Sequence, residues 1–276
     1  MAKQKITPKQ LKAIYQKKLA FIDKSLSDFD KDIKRLQTEL FDLLITDYVS
    51  QLSVIEGVIV LSEKNTRILA GLDKVMTQFK ETFATDTFTK LGENMLKMTD
   101  LTSDYFRTMT GSEKIISGIT TKLEKYRAAV GLDAKGNLIK GSFLDNLASS
   151  GELKTKLSKY MQTAVTTEMD YRTFATGLKD MIKGSPETVG AMERYVGTYA
   201  HDSFFQQARQ QDNFFADMLE LDLFVYEGSI IESSREFCIE RHGKEFTRAD
   251  GESWNDEEWK GKIPDVDFFD QVGGFG

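Results

Sequence analysis

Apolar residues fall at Tyr15, Leu19, Ile22, Leu26, Phe29, Ile33, Leu36, Leu40 and Leu43, alternating steps of four and three. That heptad stripe predicts a long helix with one narrow apolar seam, and such a seam needs another helix to cover it. Thr7-Pro8 marks its start, since Thr7 can cap and Pro8 is tolerated where its missing N–H would have no helical partner. The seam makes Leu26, Ile33, Leu36 and Leu40 candidates for a partner interface, beside the plainer reading of a helix packed in its own bundle.

Beyond Leu43 the pattern broadens, and Val49, Leu52, Ile55, Ile59 and Val60 predict that a buried helix continues or turns, with Gly57 its weak point. Residues 63–83 and 86–109 predict two more helices, the second capped by Asp86, and 112–130 predicts another. The glycine-rich stretch 131–141 breaks this block, and its Gly136-Asn137 pair between short apolar runs predicts a small β-hairpin. Asp133 and Asn137 lack the ligand order of a calcium loop, which leaves a turn as the reading. Helices resume near Phe143 and over 152–168 and 171–182, and Gly184-Ser185-Pro186 ends that block. A long amphipathic helix over 188–218 then carries Met192, Tyr195, Val196, Tyr199, Phe205, Ala208, Phe215 and Leu219 near one side, with Arg209, Gln210 and Asp212 toward the other. It leads into an apolar β-branched run, 223–231, which predicts a short buried strand.

The expected fold class is α+β, predominantly α-helical: long N-terminal helices, a small mid-chain hairpin, and a C-terminal region of helix, strand and irregular tail. The expected divisions are 1–130, a hairpin or linker at 131–141, a second helical block at 142–190, and a C-terminal domain at 191–276. Composition agrees, since only three prolines occur among 276 residues.

Charge changes the picture locally. The net charge of -6 argues against a wholly nucleic-acid-binding surface, yet Lys3, Lys5, Lys9, Lys12, Lys17 and Lys18 all precede the first acid, Asp23. They read first as a solvated helix face, with DNA as the partner they would otherwise take. The most apolar window, 40–61, is interrupted by Asp42, Asp47 and Glu56, so no membrane span is expected. The N-terminus has charge with no apolar stretch behind it, so no signal peptide is expected. A single cysteine rules out an internal disulfide and fits synthesis in a reducing cytoplasm.

The C-terminal third carries an ordered set of short motifs: Phe224-Val225-Tyr226-Glu227-Gly228, Ser233-Ser234-Arg235, Phe237-Cys238, Arg241 with Gly243-Lys244, then Trp254, Trp259-Lys260-Gly261 and Gly273-Gly274. In that order they resemble the C-terminal domain of the phage Mu F-like head-morphogenesis, or minor head, proteins; a helix entering the strand is also usual there, which extends the resemblance back to about Glu193. The motif residues singled out are Tyr226, Gly228, Ser233, Ser234, Arg235, Phe237, Cys238 and Gly243. Members of that family continue past the paired glycines into an Asn-Cys-Arg-His-like segment, whereas this sequence stops at Phe275-Gly276. The resemblance implies a bacteriophage virion structural protein, made in the host cytoplasm and located at the head interior or portal vertex. It would act in assembly, packaging or DNA ejection by binding portal, major capsid or scaffold proteins, with a homo-oligomer as a further expectation.

Candidate chemistry in the tail is sparse. Cys238 and His242 stand four apart, a spacing that can bring two metal ligands together, but the only other histidine is the distant His201. Cys238 therefore reads first as a small buried apolar residue. A Cys238 nucleophile with His201 or His242 as base is the enzyme alternative, a virion-delivered effector, and no local oxyanion motif accompanies it. Asp265, Asp267 and Asp270 read as surface charge, and the Glu-x-Glu pair of ADP-ribosyltransferase toxins is absent. No catalytic residue, metal site or cofactor is assigned. Arg235 and Lys244, near Glu236, Glu240 and Glu245, are expected to form ion pairs that hold the tail. Trp254, Trp259, Phe268 and Phe269 form either a satellite core or an aromatic anchor for a partner.

Overall fold

The computed structural model describes residues 7–110, 125, 127–226 and 234–270. The chain gathers into two compact units, a central unit of residues 20–96 and 120–200 and a tail unit of residues 1–19, 97–119 and 201–276. The structure is predominantly helical with a few short strands.

Helix α1, Pro8–Asp47, realises the stripe as one unbroken element. Its inward residues in the central unit are Ile22, Leu26, Phe29, Ile33, Leu36, Leu40 and Leu44. Leu44 takes the place expected for Leu43, because a straight helix drifts relative to a strict seven-residue repeat. The cover comes from the same chain. Phe29 meets Phe88 edge-on at 5.6 Å, and the Gln37 carboxamide oxygen accepts from the Glu193 N–H at 3.0 Å. Leu26, Ile33, Leu36 and Leu40 are thus core residues rather than a free docking seam, with Leu26 only 4% exposed and the others fully covered.

The segment after α1 departs from the helix expectation. A short 3-10 turn, Val49–Gln51, leads into a hairpin of β1, Val54–Ile55, and β2, Val58–Ile59. Glu56 and Gly57 both have positive φ, 50° and 84°, as a tight primed hairpin turn requires. Gly57 therefore sits at the turn itself. The buried Asn65 side chain staples the hairpin base: it accepts from Ser53 N at 2.8 Å and donates to Ser53 O at 3.0 Å and Val60 O at 2.7 Å. The far edge of β2 docks on the loop at 169–171, where Ile59 N–H donates to Met169 O at 2.9 Å.

Helices α2, Glu63–Ala70, and α3, Leu72–Phe79, divide the stretch expected as one helix, with Gly71 between them. Conversely, no break separates α3 from α4, Thr85–Thr110, because a π-helical turn at Lys80–Ala84 carries the chain through. Asp86 is inside this run and caps nothing. The expected helix over 112–130 lies mostly outside the described residues; 127–130 is helical. At 131–141 the chain folds back through a single bridge, Leu132 to Leu138, and Asp133 serves as an internal cap, accepting from Lys135 N at 2.8 Å and Asn137 N at 2.9 Å.

Helices α5, Phe143–Ser149, α6, Gly151–Thr166, and α7, Tyr171–Lys183, complete much of the central unit. Tyr160 of α6 stacks on Phe174 of α7 at 5.5 Å. The Gly184-Ser185-Pro186 cluster does more than end a block: β3, Gly184–Ser185, pairs antiparallel with β4, Thr188–Val189. The following helix therefore starts later than 188, with a π-helical turn at Glu193–Gly197 before α8, Thr198–Met218. Its buried side is Met192, Val196, Ala200, Phe204, Ala208 and Phe215, while Tyr199 and Phe205 face water.

In the tail unit, Phe106 of α4 stacks on Phe215 of α8 at 5.0 Å. Lys18, which falls four residues before Ile22 and so in phase with the stripe, is 1% exposed and pairs with Asp212 at 2.6 Å. It is not part of a solvated lysine face. Tyr15 also points its hydroxyl at the Asp212 carboxylate, at 3.5 Å, and burial followed by that carboxylate's charge drives its phenol pKa up. Lys12 and Lys17 are exposed, and Lys3, Lys5 and the side chain of Lys9 lie outside the described residues.

The ion pair is unequal in exposure, which predicts unequal variants. Asp212→Asn strands a buried ammonium and costs about 3–5 kcal/mol in a urea unfolding measurement. Lys18→Met leaves a carboxylate that still reaches water and is expected to cost clearly less.

Candidate functional site

Of the C-terminal residues singled out in the sequence, Phe224, Tyr226, Phe237, Cys238, Trp254 and Trp259 belong to one aromatic cluster in the tail unit. Its strands are short: β5, Leu223–Val225, pairs antiparallel with β6, Glu245–Thr247, in the register Leu223 to Thr247, Phe224 to Phe246 and Val225 to Glu245. Alternation along β5 turns Phe224 inward and leaves Leu223 and Val225 in water, so the strand is covered on one face instead of fully buried. The rest of the expected run from 227 to 231 lies outside the described residues, as do Gly228 within it and Ser233 beyond it. Helix α9, Glu236–Arg241, supplies Phe237 and Cys238. Helix α10, Arg248–Ser253, opens with a reciprocal capping box between Thr247 and Asp250 and delivers Trp254.

Trp254 is the hub. Its ring meets Phe268 at 4.6 Å, Phe246 at 4.9 Å, Phe237 at 5.6 Å, Phe224 at 5.8 Å and Tyr226 at 6.1 Å, all steeply inclined. Edge-to-face packing of this kind places positive ring edges on negative ring faces. Trp259 stacks on Phe237 at 4.5 Å, and Phe269 meets Phe224 at 5.3 Å. Phe237, Trp254 and Phe268 are buried, and Trp259 and Phe269 are half-buried against them. The aromatic tail is therefore a satellite core, and these rings are not an exposed anchor.

Cations seal the cluster. Arg241 lies over Phe237 at 3.8 Å and over Trp254 at 4.8 Å while pairing with Glu257 at 2.8 Å. Arg248 covers Phe269 at 4.8 Å, pairs with Asp217 and donates to the Asn213 carbonyl oxygen at 2.7 Å. Lys262 donates to two main-chain carbonyls, Asn255 at 2.6 Å and Glu257 at 2.7 Å, which fixes the irregular loop without a strand or disulfide. The described ion pairs of the tail thus fall on Arg241, Arg248 and Lys262 rather than on Lys244. Arg235 also packs: its guanidinium lies against Gly261, whose φ of 86° and missing Cβ make room for it.

The candidate chemical groups do not converge. Cys238 is half-buried, and its sulfur accepts a hydrogen bond from the Tyr226 hydroxyl at 3.3 Å. His242, at the end of α9, is exposed and shares with Cys238 only the main-chain bond from His242 N to Cys238 O, 3.0 Å. Asp267 accepts from Asn255 at 2.9 Å and from the Phe269 N–H at 2.9 Å, while Asp265 is exposed and the Asp270 side chain lies outside the described residues. Among the described residues, no group of His, Cys, Asp and Glu could hold a metal ion. No described helix is long and apolar enough to cross a membrane.

Two features carry no clear mark in the sequence pattern. One is an open groove of about 540 Å³ in the central unit, between Lys34, Gln37 and Thr38 of α1 and the hairpin at 184–189, with Lys183 and Glu193 on its walls. The other is a polar layer in the tail unit, where Gln211 donates to the Thr99 hydroxyl at 2.5 Å and neither amide atom of the buried Gln207 has a partner. The hairpin pair Ser185/Thr188 could have been found from its turn residues; the Gln partners could not, because they depend on contacts distant in sequence.

Compared with protein-family models, curated proteins and solved structures, the chain matches none.

Burial, then the hydrogen bond to Cys238, pushes the Tyr226 phenol up to about 12 from 10.0. An acid whose folded pKa is raised contributes stability below its unfolded pKa that is lost as pH climbs through the folded one. Unfolding free energy is therefore expected to fall between about pH 10 and 12, and Tyr226→Phe to flatten that fall. Denaturant titrations of both proteins across this window provide the check.

Proposed function

We propose that this chain is a bacteriophage virion structural protein of the Mu F-like minor head class, acting through binding at the portal vertex or head interior during assembly, packaging or DNA ejection. The reading rests on the ordered motif set of the C-terminal third. One observation supports it above the others: Phe224, Tyr226, Phe237, Cys238, Trp254 and Trp259, scattered over the motif, belong to a single aromatic cluster. A motif whose members build one small core is read as a fold signature, and a fold signature is what a resemblance without catalytic residues would transmit. The partners would be portal, capsid or scaffold proteins, met through surfaces other than the covered helical seam and the covered rings.

The virion-delivered enzyme reading has Cys238 as its nucleophile, and the described hydrogen bond at that sulfur comes from Tyr226 rather than from a histidine base. The DNA-associated reading loses Lys18 to its ion pair with Asp212. Neither has an observation of its own in its favour.

Quantitative mass spectrometry of gradient-purified particles tests the proposal by counting this chain against the portal protein. A copy number equal to the portal's or a simple multiple is the expected result, because closed assemblies repeat their interfaces. Absence from particles would overturn it. Cys238→Ala separates the structural from the enzymatic reading: particles of this variant are expected to assemble and infect, whereas normal assembly with lost infectivity would favour chemistry at the sulfur.

A further inference from the structure

The groove between α1 and the β3/β4 hairpin, about 540 Å³ and inside the central unit, is of the size that holds a small molecule. Gln37, 3% exposed, is the one buried residue on its walls. A main-chain N–H can only donate, so the atom that Glu193 N meets at 3.0 Å is the carboxamide oxygen. Gly190 closes over that same oxygen, where a Cβ would collide with it and with Ile182 O. The Gln37 Nε2 carries two further N–H donors and donates to no described residue. A buried amide with its oxygen spent and its nitrogen unspent is a fixed donor on the groove wall.

Two ammoniums share the groove. Lys34 stands 3.7 Å from Glu193, and Lys183 stands 3.8 Å from Asp42 and 4.7 Å over the Phe41 ring. Both ion pairs are longer than a hydrogen bond, so each ammonium keeps its donors unspent among the described residues. Three nitrogen donors of this kind suit an oxyanion. The Glu187 and Glu193 side chains line the same groove and set the opposite requirement. A phosphate or a dicarboxylate would bring surplus negative charge against them, and a simple cation would meet the lysines. With two lysines answered by two glutamates the lining is formally neutral, and its complement carries one charge of each sign. Pro186 and Val189, the latter 51% exposed, add apolar surface.

We propose that this groove is a binding site for a free α-amino acid with an apolar side chain. Gln37 Nε2, Lys34 and Lys183 take the carboxylate, Glu187 and Glu193 take the α-ammonium, and the side chain lies on Pro186 and Val189. The hairpin wall is set before binding: the Ser185 and Thr188 hydroxyls bond at 3.0 Å, and Glu187 N–H donates to Ser185 Oγ at 3.3 Å, which fixes the turn that carries Glu187. The groove is open, so part of the ligand stays in water and binding is reversible. The inference is independent of the minor head reading and stands or falls without it.

Titration of the full chain with L-leucine, followed through amide NMR shifts, tests the site. Isocaproate keeps the leucine skeleton without the ammonium and isoamylamine keeps it without the carboxylate, so the pair separates the two charges. The expected results are saturable leucine shifts centred on residues 34–38 and 183–193, and binding weaker by about tenfold or more for either half-molecule and for the Gln37→Glu and Lys34→Met variants. Gln37→Glu keeps an acceptor for the Glu193 N–H while removing the donor. Lys34→Met alters an exposed side chain, so it keeps the comparison valid should Gln37→Glu disturb the fold. Absence of saturable shifts overturns the proposal, as do shifts that both variants leave unchanged. Isocaproate or isoamylamine binding as tightly as leucine overturns it too, since the site would then read a single charge.

Discussion

Burial along α1 is the constraint on which the rest of the structure depends. Its inward positions, Lys18, Ile22, Leu26, Phe29, Ile33, Leu36, Leu40 and Leu44, keep phase along the helix. Residues up to Leu19 belong to the tail unit and those from Ala20 to the central one. The chemistry changes at that boundary. In the central unit the face is almost wholly aliphatic and aromatic, and burial of such side chains contributes roughly 1.5–3 kcal/mol each. In the tail unit the face ends in a lysine, which can be inside only because Asp212 and Tyr15 meet it there.

Helices were legible because their signal is periodic and long. The stripe, the helices near 143 and over 152–168 and 171–182, and the break at 131–141 all follow from spacing, whereas the short helices Glu236–Arg241 and Arg248–Ser253 fall in a tail read as irregular. The misses share a cause: β1 to β4 are each two residues long, too short for period-two alternation to register against the surrounding helical pattern. Their turns did carry local signals, Glu56-Gly57 and Pro186-Glu187, and turn chemistry outranks periodicity at that length. The π-helical turn at Lys80–Ala84 hid the continuity of α3 and α4 in the opposite way, by adding a residue that slips the apolar phase without ending the helix. Lys18 was half legible. Its phase marks it as inward, whereas its partner lies 194 residues away and no local pattern points to it.

In the C-terminal region the aromatic residues that stand out in the sequence have architectural roles among the described residues. A small module with short strands cannot bury enough backbone-ordered surface to hold itself, and such modules elsewhere lean on disulfides or metals. Here aromatic mass takes their place. Trp254 collects the rings of β5, β6, α9 and the closing 3-10 turn, Phe268–Asp270, while Arg241, Arg248 and Lys262 seal the periphery. Cys238 and Gly261 fit the same account, one as a hydrogen-bond acceptor beside Tyr226 and the other as the space for Arg235.

The two cores also differ in how completely their polar groups are answered. In the central unit Asn65 makes three side-chain bonds, Gln37 caps the Glu193 N–H, and Asp145 holds Lys80 at 2.6 Å and the Gly141 N–H at 3.0 Å, while the buried Tyr48 hydroxyl has no partner. In the tail unit Gln207 has neither amide atom bonded, the Gln211 oxygen is bare, and one Asp202 oxygen is buried without a donor. Each such group costs about 1–3 kcal/mol relative to a bonded one, and burial raises the Asp202 carboxyl pKa as the same physics requires. A layer in which Gln211 finds Thr99 while Gln207 finds nothing fixes the pairing of α4 and α8 more than it strengthens it.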